Sequence, residues 1–164
     1  AFAQALPEQT FDPGLTALAA GAVGQAAELS LTQGTDTYGA IVSRCHGLPQ
    51  LDRNALLKLA NSTGRATDGK LEQLLDLLDL FLARLARAGV SAPGQEAARG
   101  EAEVFARLCP GPAAARIWAD AQLGLSQRAR QSKTANLDPS SLILDMGLKI
   151  EETASKILRE KGLS

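Results

Sequence analysis

Residues 68–88 read DGKLEQLLDLLDLFLARLARA, and this stretch decides the fold class. Leu71, Leu74, Leu75, Leu78, Leu82 and Leu85 recur at three- and four-residue steps, the spacing of one face of an α-helix. Leu77, Leu80 and Phe81 widen that face, so the helix packs on more than one side and belongs at the centre of a domain. Asp68 stands where an N-cap would. Asp76 and Asp79 interrupt the apolar run before it reaches the roughly 18 uncharged residues of a membrane span, which predicts a soluble protein.

On the N-terminal side, Asp52 caps a helix carrying Leu56, Leu59 and Ala60, which ends in the polar cluster Asn61 to Gly64. Before it, Tyr38, Ile41, Val42 and Cys45 form another helical stripe, stopped at Gly47-Leu48-Pro49. Further upstream, Asp12-Pro13 starts a short helix ended by Gly21, and a second one from Val23 to Leu31 closes at Gly34. That segment is too small and Ala-rich to bury a core of its own.

Toward the C-terminus, the turn at Ser91 to Gly94 leads into a helix predicted to bury Ala98, Ala102, Phe105, Ala106 and Cys109. Pro112 then opens a long helix bearing Ala114, Ile117, Trp118, Ala121 and Leu125, with a polar, basic end from Gln127 to Thr134. Asp138 as cap and Pro139 at N1 start the last helix, striped by Ile143, Met146, Ile150, Ala154 and Ile157 and stopped at Gly162. No strand pattern and no fixed-period repeat occurs. The prediction is an all-α, antiparallel array of about five or six helices, with residues 35–164 as one helical domain and residues 1–34 as a remnant of another.

Composition narrows the function classes. At 45% hydrophobic and 21% charged residues, the 164-residue chain is globular in type, and a formal net charge of −1 supplies no overall field to draw it to nucleic acid. The opening AFAQALPEQT lacks a charged leader and an apolar signal core, and reads as a chain that begins partway through something larger. Two distant cysteines form no disulfide framework, which fits a reducing compartment.

Residues that might carry chemistry are few. Cys45 and His46 are the only adjacent thiol and imidazole, yet neighbours on a helix point about 100° apart, and Cys45 falls on the apolar stripe. Cys45 and Cys109 are therefore expected to be buried structural thiols, with a small helical thiol enzyme using Cys45 and His46 as the alternative. Two cysteines and one histidine without CxxC or HExxH leave no metal site, and Gly14, Gly21, Gly24 and Gly34 read as helix stops because no Lys-Ser or Lys-Thr follows them. Glu151, Glu152, Asp76 and Asp79 read as solvated helical charge. Arg128, Arg130 and Lys133 lack the interleaved aromatics that would stack bases, and Trp118 sits on an apolar stripe, in a core or a helix–helix interface. The residues alone describe an interaction domain whose useful surface is a helix face, with no cofactor and no small-molecule substrate.

Whole segments carry a resemblance. LTALAAGAVGQAAELS at 15–30 is similar to a lid stretch, and TYGAIVSRCHGLPQLDRNALLKLA at 37–60, FLARLARAG at 81–89 and RIWADAQLGLSQRARQSKTANLDPSSLILDM at 116–146 follow in order. Together they resemble the C-terminal part of the delta-prime subunit family of the bacterial DNA polymerase III clamp loader. The resemblance implies that residues 1–34 are the end of an AAA+ lid and 35–164 a collar through which five related subunits form a ring. It implies gamma or tau and delta subunits as partners, in the bacterial cytoplasm, with ATP used elsewhere in the assembly and with the sliding clamp and primed DNA met only through it. A collar of a gamma or tau subunit is the alternative within the same machine. Ser43-Arg44-Cys45 spells the family's arginine-donating tripeptide but lies in the collar-entry segment, and Gln25 stands where the lid often has arginine. No nucleotide-sensing role follows. The expected subunit interface comprises Trp118, Arg128, Asn136, Leu137, Asp138, Leu142, Ile143 and Asp145.

Overall fold

The computed structural model describes residues 34–64 and 69–162, with the side chains of residues 63 and 64 left aside. The helices expected before Gly34, with the Asp12-Pro13 start and the lid remnant, lie outside the described residues, as does Asp68. Six helices follow one another there, and no strand occurs among the described residues: α1 Gly34–Cys45, α2 Arg53–Gly64, α3 Lys70–Ala88, α4 Glu101–Leu108, α5 Pro112–Ala135 and α6 Pro139–Glu160. The all-helical class matches the expectation.

Local rules account for the boundaries. Asp52 Oδ1 accepts the backbone N–H groups of Asn54 and Ala55, both at 3.0 Å, and starts α2. Asp138 Oδ2 accepts the Ser141 N–H at 2.9 Å and starts α6, with Pro139 behind it. Gly100, at φ 84°, turns the chain into α4 through a conformation that side-chain-bearing residues rarely adopt.

Helix α3 is the hub, packed on α5 and α1, while α6 packs on α2 and α5. Its apolar faces bury Leu74, Leu75, Leu77, Phe81, Leu82 and Leu85, and removing each leucine from water contributes about 1.5–3 kcal/mol. The Phe81 ring meets Tyr38 edge-on at 6.1 Å between centroids and Phe105 at 5.5 Å, which ties α1, α3 and α4 into one core. Helix α2 runs antiparallel to α6: the Ser140 hydroxyl donates to the Ala60 carbonyl at 3.2 Å, and Arg53 pairs with Glu151 at 3.0 Å at the other end.

One helix differs from its expectation. Residues 95–100 are not helical, and within α4 it is Glu101, Val104, Phe105 and Leu108 that are buried, while Ala102 and Ala106 are exposed. The reason is size: Val104, Phe105 and Leu108 have far more apolar surface to remove from water than the alanines, and they rotate the helix accordingly. Glu101 shares their face at the i, i+3, i+4, i+7 spacing.

Candidate functional site

The expected interface residues gather around the α5–α6 hairpin, but in two different environments. Helix α5 closes at Asn136, whose backbone is left-handed at φ 50°, and the N–H groups of Asn136 and Leu137 both donate to the Ser132 carbonyl. Asp138 immediately opens α6. Leu137 is therefore held between a helix stop and a helix start, and its side chain is 54% exposed. Arg128 on α5 and Asp145 on α6 pair at 2.7 Å on the outside of the same hairpin, both substantially exposed.

Trp118, Leu142 and Ile143 lie elsewhere. Trp118 is completely buried and its indole N–H donates to the Leu108 carbonyl at 2.9 Å, so both its surface and its polar atom are used within the chain. Leu142 and Ile143 face the core from the first turns of α6. These three are corrected from interface to core, because α5 turns Trp118, and α6 turns Leu142 and Ile143, against neighbouring elements of the same chain. Arg128, Asn136, Leu137, Asp138 and Asp145 remain at the surface.

Cys45 and His46 diverge. The Cys45 thiol is free and buried in the core, and burial pushes its pKa up to about 12 against the opposing pull of Arg107 and Arg44. A thiol so held is protonated at neutral pH and is a poor nucleophile. His46 is exposed and packs over Gly100, where a Cβ would come within 2.5 Å of its Nε2. Arg107 donates to the carbonyls of Cys45, His46 and Leu48, holding the end of α1 in place. Cys109 is also buried, and its pKa is raised by loss of solvent. Among the described residues no group of three or more His, Cys, Asp or Glu side chains is placed to hold a metal ion. No helix among them is long and apolar enough to cross a membrane.

One heavily bonded polar group among the described residues was not anticipated from the sequence. Glu101, 1% exposed, accepts two hydrogen bonds from the Arg84 guanidinium at 2.9 Å, the Ala97 N–H at 2.7 Å and the Tyr38 hydroxyl. Burial and then the neighbouring Glu101 charge raise the pKa of Tyr38, so its hydroxyl stays a donor. The carboxylate is satisfied by these donors and clamps α1, α3 and the loop before α4 together. Its signal was present in the sequence as a carboxylate on the same helical face as Val104, Phe105 and Leu108.

This surface thus offers a hairpin tip, capped on both sides, with one projecting leucine and an adjoining ion pair. No family profile, curated protein or solved structure matches the chain.

Proposed function

We propose that this chain is a non-catalytic assembly module, the collar of a delta-prime-type clamp-loader subunit, which helps hold a pentameric ring that loads the sliding clamp onto primed DNA in the bacterial cytoplasm. Its partners are the gamma or tau and delta subunits. The reading is supported by the order of the resembling segments and by an all-helical fold whose buried thiol and carboxylate are occupied with holding the core.

The observation that carries it is the placement of Leu137. A large apolar side chain half in water is ordinary by itself, but this one is fixed at a tip whose backbone is capped on both sides. Little conformational entropy is lost when a partner covers such a group, so more of its burial energy reaches the complex. Leucine burial contributes about 1.5–3 kcal/mol, whereas association costs about 4–15 kcal/mol, so Leu137 acts as one anchor within a wider face.

The test is reconstitution with the other clamp-loader subunits. Leu137→Asp is expected to reduce recovery of the pentamer about tenfold or more, equivalent to about 1.4 kcal/mol, while the melting temperature stays within a degree or two. Full recovery of the ring by this variant rejects the hairpin tip as an interface. Leu142 and Ile143 are unsuitable for this test because a charge at either would disrupt the core first.

A further inference from the structure

Beside the apolar tip stands a guanidinium that is only partly used. Arg128 on α5 meets Asp145 on α6 through Nε and Oδ2, at 2.7 Å. The contact is ionic: Asp145 Oδ2 is buried and takes part in no hydrogen bond among the described residues. The Arg128 side chain stays 56% exposed, and its Nη groups donate to no described residue. A guanidinium holds its N–H donors in a rigid planar fork, so contact at Nε leaves the Nη donors to an acceptor from outside.

In water those donors are hydrated at little cost, but under a partner they need an acceptor, because a covered guanidinium without one is strongly unfavourable. Helical rise puts Arg128 about 10 Å before the end of α5. An interface of standard size covers about 800 Å² of each protein, so a face that covers Leu137 has Arg128 within its reach. The hairpin does not supply the acceptor itself. Between residues 121 and 148 its acidic residues are Asp138, which Ser141 engages, and Asp145, already at Nε. Arg130 and Lys133 add positive charge to the same segment and form no ion pair with a described residue.

We propose, on the reading of the tip as an interface, that the protein covering Leu137 presents a side-chain carboxylate to the Nη groups of Arg128, next to the apolar socket that takes the leucine. A carboxylate meets the fork with two parallel charge-assisted hydrogen bonds. A phosphate backbone fits the fork as well but offers nothing to bury Leu137. The ion contact with Asp145 restrains the guanidinium beforehand and lowers the ordering cost of binding.

Reconstitution of the ring from full-length subunits tests this, with Leu137→Asp run beside three variants of the ion pair. Arg128→Ala is expected to weaken entry of the subunit into the ring about tenfold. Arg128→Lys, which keeps the charge and loses the fork, is expected to weaken it about threefold, and Asp145→Ala, which keeps the fork, about twofold at most. The pair is exposed, so none of these three variants is expected to unfold the chain. A ring of full strength with Arg128→Ala, when Leu137→Asp disrupts it, overturns the carboxylate and leaves the tip as an interface. Intact rings with both variants remove the interface reading and this proposal together. Equal losses in Arg128→Ala and Asp145→Ala overturn it too, since Arg128 then acts only through its pairing with Asp145. An Arg128→Ala ring of parental strength that holds primed DNA about tenfold less tightly assigns the fork to a phosphate and likewise overturns it.

Discussion

Two of the arginine–carboxylate pairs among the described residues have similar lengths and opposite surroundings. Where α1, α3 and α4 join, Arg84 and Glu101 meet at 2.9 Å with side chains 18% and 1% exposed. On the α5–α6 hairpin, Arg128 and Asp145 meet at 2.7 Å with side chains 56% and 47% exposed. The shorter contact is the weaker one. Water and salt screen the hairpin pair, and either ion regains its hydration when the other is removed. In the core pair, loss of the carboxylate would leave a guanidinium, a phenol and a backbone N–H without their acceptor, which is where the energetic cost of a buried network resides. Distance reports that ions touch; burial and the number of donors decide what the contact is worth.

The largest expected effect is that of Glu101→Ala, about 3–5 kcal/mol of lost stability, a large part of the 5–15 kcal/mol typical of a domain. Chemical denaturation measures it, and a loss below about 1 kcal/mol would place both pairs in one class and break the comparison. Asp138→Ala probes the hairpin through pH. The Ser141 N–H, and then the Ser141 hydroxyl, hold the Asp138 carboxyl below its ordinary value. A group whose pKa is lower folded than unfolded stabilises the protein above the unfolded value, and that contribution is lost as pH falls through the folded value. The variant is therefore expected to be less stable than the parent at neutral pH and to converge with it in acid. A gap that persists in acid would show that the cap works by something other than its charge. The smallest effect belongs to Asp145→Ala, at most about 1 kcal/mol and fading further as salt is raised. A larger loss, insensitive to salt, would mean that the hairpin pair behaves like the buried one.

Much of the helical layout was legible because its causes are local. Asp52, Asp138, Pro112 and Pro139 announce helix starts through hydrogen bonds and backbone angles that span a few residues. The stripe of α6, Ile143, Met146, Ile150, Ala154 and Ile157, was read in the right phase, and all five are buried. What that stripe packs against was not legible: the assignment of Leu142, Ile143 and Trp118 to a partner failed because an apolar face looks the same whether its cover comes from the same chain or another. Leu137, Arg128 and Asp145, expected at an interface with a partner, lie at the surface, with Arg128 and Asp145 paired to each other.

By itself the sequence determined that this chain is built of helices, where several of them start and stop, and which stripe of most of them is apolar, because periodicity, caps and proline act within one or two turns. Only the tertiary structure decided that Glu101 is the buried hub for Arg84 and for a tyrosine 63 residues away, and that Cys45 and His46 point apart. The physical reason is that desolvation belongs to the whole packed arrangement: the same carboxylate, thiol or guanidinium is cheap in water and costly in a core, and its surroundings come from residues distant in the chain.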